Sequence, residues 1–394
     1  MESEIRTTTL DFLISSRREA MHLAPVIHCF RKQRHLRLRV VSLVSNQQDL
    51  NEVLQSLSLP ADIQLGIRGT EPNSGTYLGE INMLMSELWS RDRPHWLVSF
   101  GHEDIAFAVS SAAFQNKIPI AHIEDVNRVP GAWMTNHRKQ RTHKSIAIMS
   151  DLIFTTSVQA RNRLIHEGIR EETIFPVGTT ISESGKIILA NLCPGEHLDA
   201  ICRDSSDSTK RKIVAGRYIL ADIRYPESAN KFAEILPVVA EENPDLMIVI
   251  HSSEQRALEL LSQSPNVRNT ARIFKPKHLQ RCSLFYKAAC VLTDNDESLE
   301  ECSAFGTKGV LLGESTERFD IVASGMASIA AIRAELLARQ IRDFAHESCI
   351  KSKKPGELKS NSYPVSARIV DALTSQTNEI SQREKIEPLS RQAI

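Results

Sequence analysis

The sequence carries no excess charge of either sign: 48 Lys and Arg balance 48 Asp and Glu. No global field therefore recruits nucleic acid or an anionic membrane surface. No apolar run approaches the roughly 20 residues needed to cross a bilayer, and the first residues, MESEIRTTTL, have neither the basic nor the apolar region of a secretory signal. A cytoplasmic location is expected. There is no C-x-x-C pair. The seven cysteines (Cys29, Cys193, Cys202, Cys282, Cys290, Cys302, Cys349) are scattered and odd in number, which reads as free thiols in a reducing compartment rather than a disulfide frame or zinc site. Thirteen histidines show no H-E-x-x-H or comparable ligand spacing, so no metal is expected. No internal repeat is visible.

What is present is an alternation of short apolar runs with longer helical patterns, in a chain of 394 residues that is long enough for two domains. LDFLIS (10–15), LRVVSLV (38–44), HWLVSF (95–100), PIAHI (119–123) and LIFTT (152–156) have the composition of buried parallel strands. Helical periodicity predicts helices over 76–90, where Leu78, Ile81, Met85 and Leu88 share one face, and over 103–115. After a polar interval at 202–212, read as a surface loop, the rhythm restarts. RYILAD (217–222), LMIVIHS (246–252), RIF (272–274), CVLTD (290–294) and KGVLLG (308–313) read as strands, and 228–242, 278–288, 298–305 and 327–345 as helices. The expected fold class is α/β, with two Rossmann-like doubly wound domains facing an interdomain cleft. The expected division is 1–190, completed by a returning helix at 360–375; a second domain at 191–355 after which 351–362 is a charged linker; and a polar tail at 376–394.

One junction stands apart. Residues 293–306, TDNDESLEECSAFG, follow the run CVL and lead into a helix. Helix N-termini attract phosphate through free N–H groups, and glycine there lets the backbone approach closely. Here the junction has acids and no glycine.

Several segments in order along the chain resemble the UDP-N-acetylglucosamine 2-epimerase family, from about Leu10 to Leu373. SSRREAMHLAP (15–25) is similar to the family's G-T-R-P-E-A segment, GHED (101–104) to G-D-T, AHIED (121–125) to H-V-E-A-G, and FPVGTTI (175–181) to the strand and G-N-T that end the first domain. TDNDESLEECSAFG stands where the family has T-D-S-G-G-x-x-E-E, and STERFDIVASG (315–325) where it has T-E-R-P-E. The resemblance implies a two-Rossmann, GT-B-like enzyme that binds a UDP-sugar without a cofactor and without metal, as a homodimer. Its chemistry would be abstraction of the sugar C2 proton and elimination of UDP to a glycal, followed by re-addition of UDP or, in a hydrolysing branch, entry of water.

Carried over position by position, the resemblance implies catalytic roles for Glu124, at the glutamate of H-V-E-A-G, and for Arg17, at the arginine facing the diphosphate. His102 stands at the aspartate of G-D-T, where imidazole can transfer protons but not supply a fixed negative charge. His137 falls near the family's P-E-E-x-N-R, which places His137 and Arg138 where two glutamates belong and retains Arg141. A second register aligns 143–151 with the hydrolysing branch's R-H-x-I-T-K-x-S. By itself HRKQRTHK (137–144) reads as a solvated basic face. Substrate-binding roles are implied for Arg224 (in ADIRYPES, with Glu227 retained but no histidine), His251, Asn295, Asp296, Glu297, Glu301 and Arg318. Glu301 would accept hydrogen bonds from ribose hydroxyls. For Arg318 an interdomain salt bridge is the other reading.

The departures matter most at 295–297. Two acids near a diphosphate would repel it by roughly several kcal/mol at a protein-surface dielectric. The same acids stabilise an empty helix N-terminus by about 0.3–1 kcal/mol each. A non-catalytic member that uses the cleft for binding or protein interaction, and a GT-B-like transferase, stay open beside the epimerase reading.

Overall fold

The computed structural model describes residues 8–33, 36–44, 47–68, 75–101, 103–124, 137–330, 333–350 and 364–386. The chain divides into two compact units, Met1–Thr180 with Ser360–Ile394, and Ile181–Lys359.

The first unit is built on seven strands: β1 (Thr8–Ile14), β2 (Leu36–Val44), β3 (Ile63–Gly66), β4 (Trp96–Phe100), β5 (Ile120–Ile123), β6 (Leu152–Thr155) and β7 (Ile174–Pro176). Between them run α1 (Arg17–Phe30), α2 (Gln47–Ser56), α3 (Gly75–Arg91), α4 (Asp104–Gln115), α5 (His137–Met149) and α6 (Val158–His166). All pairings are parallel and the spatial order is β3-β2-β1-β4-β5-β6-β7. The order reverses between β1 and β4, so the loops leaving the carboxyl ends of these strands diverge and leave a crevice where such folds take ligands. Strands β4, β5 and β6 are buried along their length, which is why they read as unbroken apolar runs.

One polar group sits inside this sheet. Asp11, in the middle of β1, is fully buried; it accepts two hydrogen bonds from the Arg39 guanidinium on β2, at 2.6 and 2.8 Å, and one from the Trp89 indole on α3 at 2.9 Å. Burial raises the Asp11 pKa, and Arg39 and Trp89 pull it back toward the ionised form. The pair fixes the register of β1 on β2 and fastens α3 to the sheet, since a slip of one residue would leave both charges unpaired.

The second unit opens with α7 (Ile181–Asn191), α8 (Pro194–Ile201) and α9 (Asp207–Val214). Its strands are β8 (Tyr218–Asp222), β9 (Met247–His251), β10 (Ala271–Ile273), β11 (Cys290–Thr293), β12 (Gly309–Leu311) and β13 (Ala327–Ile329), again all parallel, in the order β10-β9-β8-β11-β12-β13. Its further helices are α10 (Pro226–Glu242), α11 (Gln255–Gln263), α12 (Pro265–Thr270), α13 (His278–Lys287), α14 (Asp296–Phe305), α15 (Phe319–Ala323) and α16 (Ala334–Ile350). The reversal here lies between β8 and β11. The last helix, α17 (Val365–Ile386), packs on α1 of the first unit.

Two local expectations are corrected. The polar interval 202–212 is not all loop: Ser206 caps α9 by accepting the Thr209 N–H, and Thr209 and Ile213 are buried one turn apart. Residues 327–345 are not one helix either, because Ala327–Ile329 pairs with β12 as an edge strand before α16 begins at Ala334.

Candidate functional site

In the first unit the carboxyl end of β1 runs through Ser15 and Ser16 into α1. Ser16 accepts the Glu19 N–H at 3.2 Å, and the Glu19 carboxylate returns to accept from the Ser15 N–H and hydroxyl. This reciprocal cap fixes the start of the helix. Arg17 is its first residue and is half-buried; Arg18 lies over the Phe100 ring at 5.8 Å, and His22 stacks on the same ring at 4.2 Å. Burial pushes Glu19 up to about 7, against the hydrogen bonds from Ser15, and the nearby Glu103 charge adds to the rise.

Glu124 follows β5 directly and is buried, its N–H donating to the Phe154 carbonyl of β6 at 2.8 Å. Its carboxylate stands 3.8 Å from Nδ1 of His143 on α5. The basic run 137–144 is therefore not wholly a solvated face: Arg141 and Lys144 are exposed, while His143 is buried against Glu124. His137 is the first residue of α5, but its side chain lies outside the described residues, as does His102.

In the second unit the corresponding loops leave β8 and β11. Asn295 is the N-cap of α14: its Oδ1 accepts the Ser298 N–H at 3.0 Å and its amide donates to the Thr293 hydroxyl at 3.0 Å. Asp294 accepts the N–H groups of Arg224 and Tyr225 at 2.9 and 2.8 Å, binding the loop after β8 to the loop after β11. Glu297 pairs with the Arg224 guanidinium at 2.7 Å. Asp296 accepts from the Thr316 hydroxyl and from the Glu317 N–H at 3.1 Å. The acids expected to block a phosphate cradle are thus clasps that join three loops. Each is satisfied within the unit.

Beneath them lies a buried charge cluster that the sequence did not reveal. Arg281 on α13 donates to both oxygens of Asp222 at 2.9 and 3.1 Å and to Glu301 at 3.0 Å, with its guanidinium 4.6 Å from the centre of the Phe285 ring. Ser298 also donates to Asp222. Burial would push Asp222 up, but the Arg281 and His251 charges and the hydrogen bonds from Arg281 and Ser298 together outweigh it and hold the carboxyl well below the usual range. His251, at the end of β9 and level with Asp222, lies 3.8 Å from that carboxylate. Burial and the Arg281 charge lower His251 to about 4, so it is neutral at pH 7. The Glu301 side chain is held in place by Arg281. Arg318 takes no such position: it is fully buried and pairs with Glu300 on α14 at 2.6 Å, inside its own unit.

Structure therefore brings Arg224, His251, Asn295, Asp296, Glu297 and Glu301 together at one end of the second sheet, and sets Glu124 and Arg17 at the carboxyl ends of β5 and β1 of the first. Arg281 and His143 are additional. The only local sign of either is a polar residue on an otherwise buried helix face. Among the described residues, no group of three or more His, Cys, Asp or Glu has a metal-binding arrangement.

The two perturbed groups have opposite pH signatures. Glu19 has a folded pKa of about 7 against an ordinary 4.5, so its contribution to stability is full below pH 4.5 and is lost as pH rises through 7. His251, at about 4 against 6.5, contributes above pH 6.5 and loses that contribution as pH falls through 4. In urea unfolding at pH 5 and 7.5, Glu19→Gln should gain stability relative to wild type at the higher pH, and His251→Gln at the lower.

A sequence profile described as UDP-N-acetylglucosamine 2-epimerase matches residues 29–374. The chain is 24% identical over 344 residues to a UDP-N-acetylglucosamine 2-epimerase of Campylobacter jejuni, covering 83% of this chain and 87% of the relative. It is 23% identical over 352 residues to one of Escherichia coli K12, covering 84% and 88%. Among solved structures it is similar to the Neisseria meningitidis UDP-GlcNAc 2-epimerase bound to UDP-GlcNAc (TM-score 0.76, 19% identity, 93% of this chain and 100% of the other). It is also similar to the Methanocaldococcus jannaschii enzyme in complex with UDP-GlcNAc and UDP (TM-score 0.71, 21% identity, 93% and 100%). These likenesses establish the GT-B-like α/β fold with two Rossmann-like sheets. The profile spans most of the sequence, and the chain belongs to the UDP-N-acetylglucosamine 2-epimerase family.

Proposed function

We propose that this protein is a nucleotide-sugar 2-epimerase acting on a UDP-amino sugar, with UDP-N-acetylglucosamine as the first substrate to try. The observation that carries the reading is Glu124, a buried carboxylate at the carboxyl end of a central strand in a chain of this family. In this mechanism Glu124 takes the proton from C2 of the sugar. The electron pair of that C–H bond forms the C1–C2 double bond as the C1–O bond breaks, and UDP leaves with the electrons of that bond. UDP re-adds at C1 while a proton returns to the opposite face of C2, or water adds at C1 and free sugar is released. A weak carbon acid needs a positioned base, and the departing diphosphate needs positive charge. Arg17 and Arg224 are assigned to the diphosphate, Glu301 to the ribose hydroxyls, and His251 to the substrate. His102 and His137 are assigned to the second proton transfer.

The test is to incubate the pure protein with UDP-GlcNAc and follow sugar and phosphorus signals by NMR. A C2 epimer still carrying UDP means reversible epimerisation, and free sugar plus UDP means hydrolysis. Unchanged substrate with no shift on mixing overturns the reading.

A binding member without turnover is the second reading, and the clasps on α14 favour it: Arg224 is engaged by Glu297, and Asp296 by Thr316 and Glu317. Replacing Asn295-Asp296-Glu297 by Ser-Gly-Gly should tighten UDP binding by about tenfold if the clasps compete with the diphosphate. Unchanged affinity in isothermal titration would mean the ligand lies elsewhere.

The reading also includes a cytoplasmic homodimer. Met83 on α3 and Phe114 on α4 are 64% and 62% exposed, and a groove between those helices is lined by Leu78, Met83 and Phe107. Such an apolar face favours a covering partner. A Met83→Glu variant should then elute as a monomer while the wild type elutes as a dimer.

A further inference from the structure

We infer that His143 is a positioning residue for Glu124: imidazolium and carboxylate form one buried ion pair that keeps Glu124 ionised for its attack on a carbon-bound proton. The inference rests on the reading that Glu124 is the acid-base group.

The pair is a product of how α5 packs. Within the sequence HRKQRTHKSIAIM, His143, Ile146 and Ala147 are buried at i, i+3 and i+4, while Arg141, Lys144 and Ile148 are exposed. This is one helical stripe, and His143 occupies a place in it that packing alone would give to an aliphatic side chain. The stripe lies on β5 and on α4, and Glu124 is the first residue past β5. His143 and Glu124 are 3% and 2% exposed, with Nδ1 3.8 Å from Oε1.

Neither group is well placed alone. A carboxyl buried in apolar surroundings is driven toward its neutral form and ceases to be a base, and a buried imidazole likewise loses its charge. Within 4 Å of each other the two stabilise each other's ionised state, and they titrate as a unit rather than as two independent groups. The proton balance follows. Before reaction the pair holds one proton, on the imidazole. When the C2–H bond breaks, its proton forms an O–H bond on Glu124 and its electron pair forms the C1–C2 double bond as UDP leaves, so the pair then holds two. Return of one proton resets it.

Among the described residues, few other titratable groups face this region. From α4 the charged residue is Asp104, at the first position of that helix. On β5 it is His122, buried, with Nδ1 3.1 Å from the Ser99 hydroxyl. Strand β6, which meets α5 through Ile153 and Ala147, has none. Helix α6, in the same cluster through Leu164, has Arg161, Arg163 and His166, with Arg161 paired to Glu171. Arg141 and Lys144 point away from the stripe into solvent.

The experiment is the pH profile of turnover of UDP-GlcNAc for wild type, Glu124→Gln and His143→Asn. With the imidazolium gone, Glu124 holds its proton to higher pH. The acidic limb of the His143→Asn profile should move up by about one unit, an approximately tenfold loss at a pH below both limbs with recovery at alkaline pH. A limb that stays in place while kcat falls equally at every pH makes His143 merely structural and overturns the inference. Glu124→Gln should be inactive at every pH. If it retains wild-type turnover, the assignment of Glu124 itself is wrong and the inference goes with it. Should His143→Asn fail to fold, the coupling is read in otherwise intact protein by ¹⁵N NMR of the His143 ring. Its pKa should fall by at least one unit in Glu124→Gln, and an unchanged value overturns the pairing.

Discussion

Replacing Arg318 with leucine should cost about 3–5 kcal/mol of stability, because it removes the guanidinium that pairs with the buried Glu300 carboxylate. Arg318 and Glu300 are 1% and 2% exposed and stand 2.6 Å apart. Neither can recover its hydration once the other is removed. The same argument says that the pair's net worth is small, since both partners lost water in order to meet. The double variant Arg318→Leu/Glu300→Leu should therefore recover most of the loss, and the coupling between the two sites is the readout in urea unfolding. The result separates two roles for Arg318. A ligand-binding arginine would lose UDP affinity with little change in unfolding midpoint; the structural pair moves the midpoint first.

Gly185→Ala should be nearly as damaging for a different reason. Gly185 lies where α7 crosses α14, and a Cβ built on it would stand 2.0 Å from the carbonyl oxygen of Ala304 and 2.7 Å from its carbonyl carbon. Both are backbone atoms, so no side chain can swing aside, and the helices must separate. Overpacking of this kind costs about 1–3 kcal/mol or more. Because α14 also carries Glu297 and Glu301 and is capped by Asn295, the displacement should weaken UDP binding as well. Gly195→Ala on α8 is the control: nothing lies within 4 Å of the place its methyl group would take, and the change should be neutral or slightly stabilising. Thermal unfolding of both variants, with and without UDP, makes the comparison.

Much of the architecture was legible because parallel strands buried on both faces advertise themselves as apolar runs. Phe12, Val40, Val98, Ala121 and Phe154 all sit in segments read as strands and are fully buried. The strands that escaped were short edges. β3, with alternating half-buried and exposed residues, and β13, whose Ala-rich sequence also suits a helix, carry too little apolar content to stand out. Helix α9 escaped because its first turn is polar and is started by the Ser206 cap.

The site divided along a similar line. Glu124, Asn295 and Glu301 were proposed from the sequence because each lies in a contiguous motif after a strand. Arg281 and His143 were not, because their meaning depends on partners distant in sequence: Arg281 is 59 residues from Asp222, and no local pattern records that they meet. The acids at 296 and 297 do lie in the first turn of α14. Their binding to Thr316, Glu317 and Arg224 could come only from the fold.

The most direct measurement of the account is exchange at a single carbon. In deuterium oxide with UDP-GlcNAc, the wild type should replace the C2 proton of the sugar by deuterium, seen as loss of the H2 signal, while Glu124→Gln should leave it intact over the same time. If the wild type retains the C2 proton while the substrate is bound or consumed, the chemistry is not proton abstraction at C2, and the epimerase account is wrong.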